Sequence, residues 1–343
     1  MKVLIDINHP GQVHLFKHAA RAWMARGDEV LFVARDKDVT VALLEEYDLP
    51  FERGPTRRRG MFGMLVELFS KTARLTVIGR HFRPHIVLSL GSPAAAWAAN
   101  LLRVPHLAFE DTEHSTEQYV LYAPFTRWIA TATCFRRQLG SKQLRYAGYH
   151  ELAYLHPTRF TPDATLQARL GLEPDERYVV VRFVSWEASH DRGHSGFSAD
   201  GKRRLMAQLA ARARVIITSE QALPAELEQY RLPTSAGRVH DLLAGAALYV
   251  GEGATMASEA AMLGVPSIYV NSLGAGTIDD QQAYGLVYHL PQEAAAIAQA
   301  VALLDDADAC AEHQRRRARM LADKIDVTAW ILSTIDTLCP NPS

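Results

Sequence analysis

Residues 247–270 read ALYVGEGATMASEAAMLGVPSIYV. The stretch opens on a short apolar run of the kind that forms strands buried on both faces. Gly251-Glu252-Gly253-Ala254 interrupts the run with small residues, which let a ligand approach the backbone closely. Thr255 is placed to act as the N-cap of a helix running to 263, and 267–270 is the next strand. Free N–H groups at such a helix start, together with the helix dipole, suit a diphosphate. Glu259 lies one turn further along. A carboxylate there accepts both hydroxyls of a ribose, as acidic residues do in Rossmann sites. The plainer reading is a strand, turn and helix whose glycines serve close packing.

The same alternation runs outward in both directions. Residues 2–7 are a β-branched strand, 8–13 a loop, 15–26 a helix with Phe16, Ala19, Ala20, Trp23 and Met24 on one face, and 29–34 a second strand. Gly27 stops that helix. Helices at 39–47 and 65–82, a strand at 85–90, an Ala-rich helix at 94–102 and a strand at 106–109 follow. The Tyr-, His- and Pro-rich tract 146–162 has little periodicity and reads as an interdomain linker. A second series starts with the strand at Tyr178 and alternates to 270, and helices close the chain from about 291. Strand and helix alternating throughout predict doubly wound parallel sheets.

Bulk properties exclude several classes. The chain has 343 residues, enough for two domains of roughly 150. Its formal net charge is −1, so no global field draws it to nucleic acid. Cys134, Cys310 and Cys339 are odd in number and form no C-x-x-C, against a disulfide framework or a structural zinc site, and they fit a reduced, cytoplasmic setting. No run of 18 apolar residues is present to span a membrane. No G-x-G-x-x-G follows the first strand, which argues against a dehydrogenase.

The 247–270 segment resembles the nucleotide-binding stretch of GT-B enzymes, notably the peptidoglycan GlcNAc-transferase and UDP-GlcNAc 2-epimerase families. These share a Gly-rich turn, a Thr or Ser, a Glu on the helix and then G-x-P. The matching residues are Gly251, Gly253, Thr255, Glu259, Gly264 and Pro266. Downstream, DDQQAYGL resembles the transferase pattern in which an acid-Gln-Gln stretch meets sugar hydroxyls, here Asp280, Gln281 and Gln282. The segment 8–35 resembles the opening loop, helix and strand of the same fold. The likeness runs from residue 1 to about 305, as order of elements more than identity. The whole chain also resembles a family of uncharacterised bacterial and archaeal proteins of this superfamily, which implies no reaction.

The resemblance implies a GT-B type α/β protein, two Rossmann-like doubly wound parallel-sheet domains facing a cleft. Residues 1–160 would form the acceptor-side domain and 161–325 the nucleotide-sugar domain, with a helix in 326–343 packing back on the first. The implied activity is glycosyl transfer from a UDP-sugar to an acceptor not identified by the sequence, with no metal or other cofactor. A UDP-GlcNAc 2-epimerase-like enzyme, hydrolysing or not, is the alternative, and a non-catalytic nucleotide-sugar-binding protein the third.

On the first domain, the loop after strand 2–7 holds Asn8, His9, Gly11, Gln12 and His14, and in a GT-B protein it faces the cleft. His14 is a candidate base or phosphate contact, since histidine titrates near neutrality. FEDTEHS, residues 109–115, leaves a strand at its C-terminal end with Glu110, Asp111, Glu113 and His114 crowded together. Such carboxylates raise one another's pKa and can supply a general base. Glu110 falls where the epimerase family has a catalytic Glu, but Ser92 stands where that family has an Asp, which weakens the epimerase reading. On the second domain, Arg182 and Arg192 are candidates for phosphate, and Ser219, Glu220 and Gln221 for base or ribose. The loop 185–198 also carries Trp186, Glu187, His190, Asp191 and His194, a set that lacks the rigid spacing of a metal site. Arg57, Arg58 and Arg59, ahead of an amphipathic helix, are the candidate contact to an anionic membrane surface.

Overall fold

The computed structural model describes residues 1–35, 38–54, 61–173, 176–183, 196–218, 223–231 and 236–340. Arg57, Arg58, Arg59, Trp186, Glu187, His190, Asp191, Arg192, His194, Ser219, Glu220 and Gln221 lie outside the described residues. In chain order the first elements are β1 (Lys2–Ile7), α1 (Pro10–Ala25), β2 (Glu29–Arg35), α2 (Asp38–Glu46), β3 (Phe51–Gly54), α3 (Met61–Phe82) and β4 (Ile86–Leu90). Next come α4 (Pro93–Leu102), β5 (His106–Phe109), α5 (Thr116–Tyr122), β6 (Trp128–Ala132), β7 (Gln143–Tyr146) and α6 (Leu152–Leu155). The second series is α7 (Leu166–Arg169), β8 (Tyr178–Arg182), α8 (Ala199–Ala210), β9 (Arg214–Ile217), α9 (Val239–Ala244), β10 (Leu248–Gly251) and α10 (Ala254–Met262). It continues with β11 (Ser267–Tyr269), α11 (Gly276–Ala283), β12 (Val287–His289), α12 (Glu293–Asp305) and α13 (Ala309–Asp323), and the chain ends on α14 (Val327–Leu338).

These elements form two compact units, Met1–Arg159 with Ile325–Ser343, and Phe160–Lys324. The first unit holds a seven-stranded sheet in the order β3-β2-β1-β4-β5-β6-β7, and the second a five-stranded sheet in the order β12-β11-β10-β8-β9. Every strand pair in both is parallel. Parallel sheets need both faces covered, and the strands accordingly read as apolar runs. Val179, Val181, Leu248 and Val250 enter one core with residues of α8 and α12. Leu4, Val33 and Val87 pack against Leu75, Ile78 and the alanines of α4.

Strand order reverses once in each sheet: between β1 and β4 in the first, and between β8 and β10 in the second. Ligands of open α/β sheets bind at the carboxyl ends of strands beside such a reversal. The register places Asp6 opposite Ser89 at one switch point and Arg182 opposite Gly251 at the other.

Two stretches fold differently from the sequence reading. The expected loop 8–13 is mostly helix: α1 starts at Pro10, with His9 as N-cap accepting from the Gly11 N–H. Proline is pre-shaped for the first helical position, so the turn residues Pro10 and Gly11 initiate the helix instead of delaying it. The tract 146–162 is not a linker. Tyr146, Tyr149 and all of α6 are buried in the first unit, and the division falls after Arg159.

The C-terminal helix completes the first unit. The Thr328 hydroxyl donates to the Ala153 carbonyl (2.6 Å), and the Trp330 ring lies 4.8 Å from that of Tyr146. Arg26, the C-cap of α1, bonds both oxygens of Asp336. No helix among the described residues is long and apolar enough to cross a membrane.

Candidate functional site

At the switch point of the second unit, β10 runs into α10 through Glu252 and Gly253. Gly253, not Thr255, is the N-cap of α10, and no side chain caps it. Thr255 stands one position inside the first turn because Gly253 already has the extended backbone a cap requires (φ −103°, ψ 126°). The helix start therefore presents main-chain donors from the first turn, with the first intrahelical bond going from Ala257 N to the Gly253 carbonyl (3.3 Å).

Gly251 is small for an internal reason. A Cβ there would lie 2.0 Å from the Tyr249 hydroxyl and 3.1 Å from the Arg182 carbonyl. The residue makes room for a tyrosine ring, which corrects the expectation that it makes room for a ligand. The Tyr249 hydroxyl is buried with no hydrogen-bond partner among the described residues. Burial pushes its pKa well up, with the charges of Arg182, Glu259 and Glu252 acting on it. Arg182 lies opposite Gly251 in the strand register, and Glu252 follows Gly251 directly. The Glu252 carboxylate accepts from the Phe197 N–H (2.7 Å), and the Asn271 side chain donates to the Glu252 carbonyl (3.1 Å).

Glu259 is nearly enclosed. Its Oε1 lies 3.0 Å from Nε2 of His240 on α9, the side chains being 8 % and 2 % exposed. Nothing local in the sequence joins His240 to a glutamate 19 positions on. The Asp280-Gln281-Gln282 stretch does not present three side chains together. Gln281 is fully buried and donates to the Ser258 hydroxyl (2.5 Å), Asp280 pairs with Lys324 (2.6 Å), and Gln282 accepts from the His289 N–H (3.4 Å). In α11, Gln281 points into its own unit against α10, so a role at sugar hydroxyls is left to its neighbours.

The switch point of the first unit holds a buried charged cluster that the sequence reading missed. Asp6 on β1 is fully buried. Lys71, from the middle of α3, sits 2.6 Å from its Oδ1 and donates to Oδ2 (2.9 Å) and to the Asn8 side-chain carbonyl. The Ser92 hydroxyl donates to the same carboxylate (2.6 Å), as does the Asn8 amide (3.3 Å). Burial lowers the Lys71 pKa, and Asp6 opposes that shift. Ser92 also caps α4 through the Ala95 N–H. The Gln12 side chain accepts from the Asn8 N–H (2.7 Å). His9, by contrast, is exposed and serves as the cap. His14 is buried in α1, against the rings of Tyr47 and Tyr154, with Tyr47 Oη 3.4 Å from Nδ1. An open-loop base is not what His14 is, because the helix begins before it.

Two strands further on, β5 delivers the acidic cluster. Glu110 is buried, accepting from the Tyr122 hydroxyl (2.5 Å) and the Thr112 N–H (2.9 Å). Burial pushes its carboxyl up to about 7, with the Asp111 charge adding and the two hydrogen bonds opposing. Gly91 faces it with φ +49°, and a Cβ there would come 3.1 Å from Glu110 Oε2. Asp111 pairs with Nδ1 of His150 (3.3 Å), a contact that offsets burial, lowers the Asp111 pKa and raises that of His150. His150, too, was missed, since it lies in the tract read as a linker. Glu113 turns away, accepting from the Arg136 N–H (2.6 Å), and His114 is exposed.

A carboxyl whose folded pKa exceeds its usual 4.5 stabilises the fold when neutral. The contribution of Glu110 is fully present below pH 4.5 and lost by about 7. Glu110→Gln stays neutral throughout, so it should gain stability over the parent as pH rises through that window and hold the gain above it. Urea unfolding at several pH values measures this, and parallel curves for the two proteins would contradict it.

Two solved structures match the fold across almost the whole chain. The UDP-GlcNAc 2-epimerase from Neisseria meningitidis, bound to UDP-GlcNAc, gives a TM-score of 0.69 at 13% identity, covering 98% of this chain and 100% of the other. The glycosyltransferase SsfS6 from Streptomyces sp. SF2575 gives 0.62 at 15% identity, covering 96% and 99%. The two parallel-sheet units are thus those of the GT-B fold. In sequence, the uncharacterized protein MJ0665 of Methanocaldococcus jannaschii is 22% identical over 281 residues, 78% of this chain and 81% of the relative. The chain belongs to the family described as "Protein of unknown function (DUF354)", whose sequence model matches residues 1–328.

Proposed function

We propose that this protein is a glycosyltransferase that takes a UDP-sugar as donor, with the nucleotide held by the second unit. The observation that carries the reading is the uncapped start of α10 at a strand-order reversal, with Glu259 behind it. The N–H groups of Ala254, Thr255 and Met256 donate to the diphosphate, aided by the helix dipole and Arg182. Glu259 takes the ribose hydroxyls, and Asp280 and Gln282 are the candidates for the sugar. As the glycosidic bond breaks, the departing diphosphate gains charge where these donors already point, which lowers the barrier electrostatically. On the first unit, Glu110 is the preferred base for the acceptor hydroxyl, since a pKa near the working pH is what general catalysis needs. Asp111 is then paired with His150, and Asn8, Gln12 and Ser92 line the acceptor side through the Asp6–Lys71 cluster.

The solved structures support the choice of ligand: one is bound to UDP-GlcNAc, and SsfS6 has also been solved with thymidine diphosphate. One observation favours the epimerase reading. Ser92, which stands where that family has an Asp, donates to Asp6, so β1 brings a carboxylate to the place where β4 lacks one. Calorimetry with UDP, followed by incubation with UDP-GlcNAc alone, tests both. UDP binding without turnover until an acceptor is added supports transfer. A new sugar or released UDP without acceptor supports the alternative, and no binding of UDP or any nucleotide-sugar sinks both.

A further inference from the structure

We propose that His106 is a positioning residue that holds the two groups closing on the Glu110 carboxylate, and so keeps Glu110 placed to take the acceptor's proton. The inference rests on the reading of Glu110 as the base and adds the part of the fold that fixes it.

One carboxylate oxygen of Glu110 sits between two jaws. On one side the Tyr122 hydroxyl donates to Oε2 (2.5 Å). On the other, Gly91 packs so closely that a Cβ would lie 3.1 Å from Oε2 and 3.6 Å from the Tyr122 ring. Both jaws trace back to His106, buried at the start of β5. The Thr126 hydroxyl has one proton, and it goes to the Tyr122 carbonyl at the end of α5 (2.9 Å). Thr126 Oγ1 therefore accepts from Nδ1 of His106 (2.8 Å), which puts the ring proton there. Burial pushes the His106 pKa down to about 3 against the opposing charge of Asp6, so the ring is neutral and Nε2 carries a lone pair. That lone pair accepts from the Ser89 hydroxyl (2.9 Å), and Ser89 Oγ accepts from the Ser92 N–H (3.3 Å), the residue after Gly91. The hydrogen bonds thus all run one way, from the turn after β4 through His106 to the end of α5. Ser89, His106 and Thr126 are all buried, and a fully satisfied buried network makes its surroundings rigid. Burial raises the Glu110 pKa and the Asp111 charge adds to it, whereas Tyr122, the Thr112 N–H and His150 oppose the rise. Tyr122 is the member of that set that His106 holds.

The test is nuclear magnetic resonance on the full chain, which needs no substrate. Nitrogen spectra of the histidines should show His106, assigned by its loss in His106→Asn, neutral with its proton on Nδ1 from roughly pH 5 to 8. Carbon spectra of the glutamate carboxyls, with Glu110 assigned through Glu110→Gln, should give it a midpoint of about 7 in the parent. His106→Leu frees both jaws and should raise that midpoint by about one unit, because a bond to the charged form weakens. His106→Asn places an amide nitrogen near Nδ1, keeps the bond to Thr126 and should return the midpoint to the parent's. His106→Gln reaches the Nε2 position instead, keeps Ser89 and loses Thr126, so it should behave like the leucine variant. Thr126→Val keeps the shape, removes the hydroxyl and should shift Glu110 in the same direction; it replaces the leucine variant if that one does not fold. Variants that unfold at lower temperature while the Glu110 midpoint stays put would make His106 a packing residue and overturn the proposal. A proton on Nε2 in the parent would also overturn it. Undiminished turnover of UDP-GlcNAc by Glu110→Gln would overturn the base reading instead, and would leave the hold of His106 on Glu110 as measured.

Discussion

Lys71→Met is expected to destabilise the first unit by about 3–5 kcal/mol, the cost of removing one partner from a buried ion pair. Methionine fills the space of the lysine stem, so the loss is electrostatic. Asp6, with no exposed surface, would keep the Ser92 hydroxyl and the Asn8 amide but lose its ion-pair partner. For a unit of this size the change corresponds to a fall in Tm of roughly 10 °C. Removing both charges is different, because an apolar or neutral replacement of a whole buried pair is often near neutral. The double variant Asp6→Asn, Lys71→Met should therefore recover much of the loss. Thermal unfolding of the parent, the single variant and the double variant decides the matter, and a single-variant loss below about 1 kcal/mol would refute the account.

Glu259→Ala should weaken UDP by about 100-fold or more, since two hydrogen bonds to a charged group are removed together. The alanine also removes the carboxylate that lies against buried His240, so some loss of stability accompanies the loss of affinity. Glu259→Gln separates the two effects. Its side-chain carbonyl still accepts from His240 and the shape is kept, but the charge is gone. UDP affinity should fall while the unfolding midpoint stays close to the parent's. Calorimetry and thermal unfolding on the same samples measure both, and an unchanged affinity in the alanine variant would remove Glu259 from the site.

Strands were legible where apolar residues dominate the run, as at Lys2–Ile7, His106–Phe109 and Leu248–Gly251. Two half-polar strands escaped. Phe51–Gly54 reads FERG and Gln143–Tyr146 reads QLRY, and both lie at sheet edges where one side needs no apolar partner. Site residues divide in the same way. Glu110 stands out because it directly follows a strand, and Glu259 because it lies on the helix that opens after a strand and a Gly-rich turn. Asp6 is masked by the apolar strand around it, and Lys71 by the amphipathic helix that carries it. Their pairing spans 65 positions, and no local pattern encodes it. The glycines misled for a related reason. Gly251 is adjacent to a ligand-type turn in sequence, yet the group pressing on it is the hydroxyl of Tyr249, two residues back along the same strand face.

The helix α14 gives the first unit a history as well as a shape. A ribosome makes β1 through α6 first, then the whole second unit, and only afterwards the helix that covers Trp330's partners Tyr146 and Phe109. At about 5–20 residues per second the delay is roughly ten to thirty seconds. Throughout that interval the seven-stranded sheet waits with an uncovered aromatic surface, while the second unit, continuous in the chain, is free to fold without waiting. The half that starts first is thus the half that finishes last, and its nascent form is the one most exposed to chaperones and to aggregation.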